Sequence, residues 1–123
     1  MGIRFRHSIA LVRDIEESKH FYKDILGLSI IRDFDVFVLF QNDFAIHRAD
    51  LFYDYINKPY HGEKMGHDNV DFYLTTSELE HVSARLKENK VVFIHEIKQM
   101  DWGEKVIRIY DPDGHILEIG DAD

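Results

Sequence analysis

The chain has 123 residues, no cysteine, 15 basic against 23 acidic side chains and a formal net charge of −8. That length supports one domain with a single core, and the missing thiols exclude disulfides, thiolate nucleophiles and sulfur-ligated metals. Basic residues form no stripe, so neither nucleic acid nor an anionic membrane is an expected partner.

No apolar run approaches membrane-spanning length and residues 1–6 hold no signal-peptide core, so the expected compartment is the cytoplasm. Residues 4–12 alternate weakly and predict a strand. Asp14, with Glu17 three positions on, reads as a helix cap, and Ile15, Ser18, Tyr22, Ile25 and Leu26 recur at helical spacing. Gly27 stands where a left-handed residue ends the helix. Residues 28–32, 36–41 and 44–48 are three short strands, with turns at 33–35 and 42–43. Residues 50–67 show neither period; Phe52, Tyr53, Tyr55 and Tyr60 mark them as an aromatic-rich linker.

The first half then recurs. Residues 69–75 predict a strand, and Thr75 or Ser77 a helix cap with Glu78 or Glu80 following. Leu79, Val82 and Leu86 form an apolar stripe, and Asn89 takes the stop position. Residues 91–97, 105–110 and 116–119 are strands, the last two joined by the tight-turn signal Asp111-Pro112-Asp113-Gly114. Laying His7 on Asn69 aligns Asp14 with Thr76 and Gly27 with Asn89 without a gap. Laying His47 on Glu118 aligns Asp50 with Asp121, and the polar stretch 98–104 accounts for the longer second half. The expectation is an α+β fold of two tandem βαβββ modules, 1–50 and 68–123 with a linker at 51–67. Their curved mixed sheets, related by a pseudo-twofold, would form a cup.

The repeat also organises the chemistry. His7 and His47 in the first module, and Asn69 and Glu118 in the second, are polar residues at matching strand positions. A carboxylate among Ile116, Leu117 and Ile119 implies either an edge strand facing water or a bound cation. His7, His47 and Glu118 are accordingly the expected ligands of Zn, Mn, Fe or Ni, with His67 in reserve and Asn69 beside them. The plain alternative is that these are solvent-facing or satisfied histidines. His20 and His81 lie off the helical stripes, and His95 and His115 sit in or beside strands without an assigned role. Trp102, Arg108 and Tyr110 are candidate substrate-binding residues, set against a packing cluster with a solvated arginine.

The pattern His7-x6-Asp14-x6-Phe21-Tyr22-x4-Gly27 and the terminal Asp111-Pro112-Asp113-Gly114-His115-x2-Glu118 resemble two recurrent stretches of the glyoxalase/bleomycin-resistance/extradiol-dioxygenase superfamily. The resemblance covers nearly the whole chain and implies the vicinal oxygen chelate fold. It implies a divalent metal held at four equivalent positions. His7 and Glu118 match by motif; His47 stands where glutamate is common and Asn69 where histidine is common. The activity so implied is a metal-dependent lyase or isomerase like lactoylglutathione lyase, with Glu118 as ligand and catalytic base, or a dioxygenase, acting on a small molecule with vicinal oxygens. The alternative is a metal-free small-molecule or antibiotic-binding protein, often built at the seam of a homodimer.

Overall fold

The computed structural model describes residues 2–122, which form two compact units, one ending at Met65 and the other beginning at Gly66. In the first unit, β1 (Ser8–Val12) leads into α1 (Ile15–His20). Asp14 caps that helix as its sequence predicts, its carboxylate accepting the backbone N–H groups of Glu16 and Glu17 at 3.1 Å each. The helix then widens into one π-turn, Phe21–Ile25, where the Leu26 N–H reaches back five residues to the Phe21 carbonyl. Strands β2 (Ile30–Asp33), β3 (Phe37–Phe40) and β4 (Phe44–Arg48) complete a sheet of order β1-β4-β3-β2. β1 pairs with β4 in parallel, and the other pairs are antiparallel.

Alternation gives this sheet two faces. Ala10, Val12, Val38, Phe40 and Ile46 are buried, as are Ile15, Ser18, Phe21 and Tyr22 of the helical segment. The Tyr22 ring lies 5.0 Å from that of Phe44 and 5.8 Å from that of Phe40. Each large side chain so buried contributes about 2 kcal/mol. His7, Ile9, Leu11, Phe37, Ala45 and His47 belong to the opposite face, since Leu11 and Phe37 both pair with His47.

The second unit repeats this plan with β5 (Asp71–Thr76), α3 (Leu79–Glu88), β6 (Val92–Gln99), β7 (Lys105–Tyr110) and β8 (Ile116–Asp121). Its sheet has the order β5-β8-β7-β6, again with one parallel pair, β5 with β8. Leu79, Ser83 and Leu86 are the buried stripe of α3, which lies against β6 and β8. The Asp111–Gly114 turn forms as expected. The Asp111 carboxylate accepts from the N–H groups of Asp113 and His115, and Gly114 takes φ +85°. Gly66 packs so closely on this turn that a Cβ there would lie 1.9 Å from the Gly114 carbonyl oxygen.

Four local expectations change. Ala49–Tyr55 is a helix, α2, where the sequence showed no period; at seven residues it is too short for one apolar stripe to stand out. Neither Thr75 nor Ser77 caps α3: β5 runs on to Thr76, whose hydroxyl accepts the Glu78 N–H, and Glu78 takes the cap position without a side-chain bond. Asn89 is right-handed, and the positive φ, +57°, falls on Lys90 instead. Asn69 lies ahead of β5 rather than in it. No helix among the described residues is long and apolar enough to cross a membrane.

Candidate functional site

Glu118 stands on β8, between β5 and β7, so it is not on an edge strand. It is 8% exposed, which makes an unpartnered charge there costly. The partner is Arg108, directly opposite on β7, whose Nε donates to Glu118 Oε1 at 3.0 Å. Arg108 is therefore an ion-paired residue, not a solvated one. Its Nη1 lies 3.1 Å from His95 Nε2, and its Nη2 donates to Met100 Sδ at 3.6 Å.

The tautomer of His95 follows from its neighbours. Its Nδ1 is 2.7 Å from the Glu96 carbonyl oxygen, which only accepts, so Nδ1 carries the hydrogen. Nε2 is then a lone pair and accepts from Arg108. β6 shifts register on both sides of His95, between Phe93 and His95 and again between His95 and Lys98. Bulges re-aim side chains, and these two bracket the imidazole that meets Arg108.

On the other flank, the Asp71 carboxyl of β5 lies beside Glu118. Lost hydration, the Glu118 hydrogen bond and its charge together push the Asp71 carboxyl from 3.8 up to about 6, with Arg108 pulling the other way. Lost hydration is the largest of these causes, and the neighbouring Glu118 carboxylate adds to it. Asp71, Glu118, Arg108 and His95 thus form one polar row crossing all four strands of the second sheet. Tyr73 and Trp102 both donate to Glu104, the indole at 3.2 Å to Oε1. The hydrogen bond to Glu104 is the leading cause that raises Tyr73 to about 12, and the same bond lowers Glu104. Tyr110 donates to Asp68 at 2.8 Å, which raises the phenol.

The first unit presents different chemistry. The rings of His7 and His47 both flank Phe37, at 6.4 and 5.8 Å between centroids. Edge-on contacts to Phe52 and Tyr55 of α2 further enclose His47. His47 Nδ1 lies 3.0 Å from the Arg48 carbonyl oxygen, so Nδ1 carries the hydrogen and Nε2 the lone pair. His7 Nδ1 is 3.5 Å from Asp43 Oδ1, an approach that makes no hydrogen bond and leaves the atom buried without one.

Tested against a divalent metal, the two imidazoles present suitable nitrogens, while one oxygen of Glu118 already accepts from Arg108. Among the described residues no group of three or more histidine, aspartate and glutamate side chains is gathered as a metal ion requires. Of the expected substrate-binding residues, Arg108 and Tyr110 lie on the face that carries Glu118; Trp102 is in the β6–β7 loop, and Asn69 is exposed. Sequence reasoning passed over Asp71, His95 and Met100. Counting outward from the Asp111–Gly114 turn would have placed Arg108 opposite Glu118, and strand alternation would have placed Asp71 on the same face. A recess of about 270 Å³ lies apart from this row, lined by Ser77, Leu79, Ile97 and Lys105 among others.

Residues 5–122 match the family described as glyoxalase-like domain. A crystal structure of a protein of unknown function from Agrobacterium tumefaciens str. C58 is 38% identical, with a TM-score of 0.92, over 100% of this chain and 97% of that one. A glyoxalase/bleomycin resistance protein/dioxygenase from Nocardioides is 20% identical, with a TM-score of 0.77, over 98% of this chain and 83% of its own. A lactoylglutathione lyase from Agrobacterium tumefaciens is 18% identical, with a TM-score of 0.71, over 98% and 94%. These likenesses, with the two four-stranded mixed sheets, identify the fold as the vicinal oxygen chelate type. No curated protein matches the chain.

Proposed function

This chain belongs to the glyoxalase-like domain family, and from that premise we propose that it is a small-molecule-binding member whose second unit works without a divalent metal. One observation carries the reading: the Glu118 carboxylate is committed to Arg108. Arg108 Nε holds Oε1, so a metal on this carboxylate would have to share its charge with the guanidinium and weaken the pair. The row from Asp71 to His95 offers a bound molecule both donors and acceptors on one sheet face, with Tyr73 and Tyr110 beside it. A homodimer belongs to this reading, supported by the exposed Ile31 and Phe34 of the first unit and tested by sedimentation.

Metal analysis of protein purified without chelator or tag nickel tests the proposal. The expected result is well under one equivalent of Mn, Fe, Ni or Zn, unchanged in His47→Ala and Glu118→Ala. One tightly held equivalent that disappears in both variants would overturn it. That second outcome belongs to the metal-dependent lyase or dioxygenase reading, with His7, His47 and Glu118 as ligands. Its support is specific: His7 Nδ1 is buried without a hydrogen bond, and His47 directs Nδ1–H at a backbone carbonyl, as metal-ligating histidines commonly do.

A further inference from the structure

We infer that Arg108 is the anchoring residue for a ligand oxyanion, a carboxylate, which displaces Met100 from the guanidinium. The inference rests on the metal-independent reading above and names its ligand class. A guanidinium has five N–H donors in a fixed fork. At Arg108, Nε–H goes to Glu118, one Nη1–H to His95 and one Nη2–H to Met100. Each terminal nitrogen keeps a second hydrogen.

The partners are unequal. Glu118 and His95 hold two edges of the group at 3.0 and 3.1 Å, and two bulges in β6 fix His95 in place. The third partner, the Met100 thioether at 3.6 Å, is a weak acceptor on a flexible side chain. It lies just beyond β6, at the start of the loop that carries Trp102 and Glu104. The Arg108 side chain is 27% exposed, so the terminal nitrogens are not sealed in. A carboxylate would take the Nη edge while Glu118 keeps the Nε edge, so the two anions use different sides of one cation. The fork is held rigid beforehand, which reduces the ordering cost of binding. Exposed Trp102 and Tyr73 flank the loop and supply aromatic surface for the rest of the ligand.

Trp102 is the chain's one tryptophan, so its indole N–H gives a single resonance in the ¹⁵N spectrum of the full chain. That resonance and the Arg108 Nε–H are followed during titration with three probes of similar shape: benzoate, benzamide and benzylammonium. Metal-free wild type is expected to show saturable shifts of both with benzoate and little response to the other two. Arg108→Lys, which keeps the charge and a partner for Glu118 but loses the fork, should weaken benzoate binding about tenfold or more. Met100→Ala should bind at least as tightly as wild type, which a merely structural role for Met100 would not produce. Loss of the fold in Arg108→Lys would show in the same spectrum, and the Met100→Ala comparison then decides.

Failure of wild type to bind benzoate, or equal binding by Arg108→Lys, would overturn the inference. Preference for benzylammonium without metal would overturn it while leaving the metal-independent reading intact. Binding of any probe only after Zn²⁺ is added would overturn both.

Discussion

The two units share one strand order and differ in what they place at matching points. His47 of the first unit corresponds to Glu118 of the second, and the residues paired to them across the neighbouring strand are Phe37 and Arg108. Ile9, paired with Ala45, corresponds to Asp71, paired with Ile116. Thus an imidazole packed among aromatic rings in one copy becomes, in the other, a carboxylate held by a guanidinium and lying beside a second carboxylate. The backbone plan fixes where a side chain faces, and substitution at those points decides whether the face packs rings or manages charge.

The comparison is broken most forcefully at Arg108. Arg108→Ala leaves Glu118 without its cation, and urea denaturation should show a loss of about 3 kcal/mol. Arg108→Met combined with Glu118→Leu should recover most of it, because the pair is then replaced by apolar contact. A neutral Arg108→Ala would mean that the second unit does not depend on its ion pair. In the first unit, His47→Ala removes contacts to Phe37, Phe52 and Tyr55. The expected cost by the same method is smaller, about 1–2 kcal/mol, and should hardly change with salt.

A finer difference is the pH response of Asp71. Its carboxyl is raised from 3.8 to about 6 in the folded chain, so the native state binds that proton more tightly than the unfolded one. The stability it contributes is present at low pH and is lost as pH rises through the window between those values. Thermal unfolding of Asp71→Asn alongside wild type should therefore show wild type losing ground to the variant from about pH 4 to pH 6. Parallel curves would show that Asp71 and Glu118 do not sense each other. Ile9, at the equivalent place, has no such effect to remove.

Much of this architecture was legible in the sequence because it rests on local signals. Asp14 caps, Gly27 with φ +81° stops, the Asp111–Gly114 turn closes a hairpin, and the repeat aligns the strands. α2 was hidden because its aromatics fall on several sides of a single short helix. The candidate site was half visible. Glu118 read as a carboxylate either facing water from an edge strand or binding a metal cation; its strand is central, and Arg108 stands beside it. What sequence spacing did not convey was the pairing of strands β5 and β6 with the central hairpin, which brings in Asp71 and, through two bulges, His95.

The proposal that Glu118 serves Arg108 and not a metal is tested most directly by the Arg108 Nε–H resonance of isotope-labelled protein titrated with Zn²⁺. The resonance is predicted to keep its hydrogen-bonded position through one equivalent of metal. Its stoichiometric loss or shift toward the position of a free arginine, as Glu118 passes to the ion, would contradict the account.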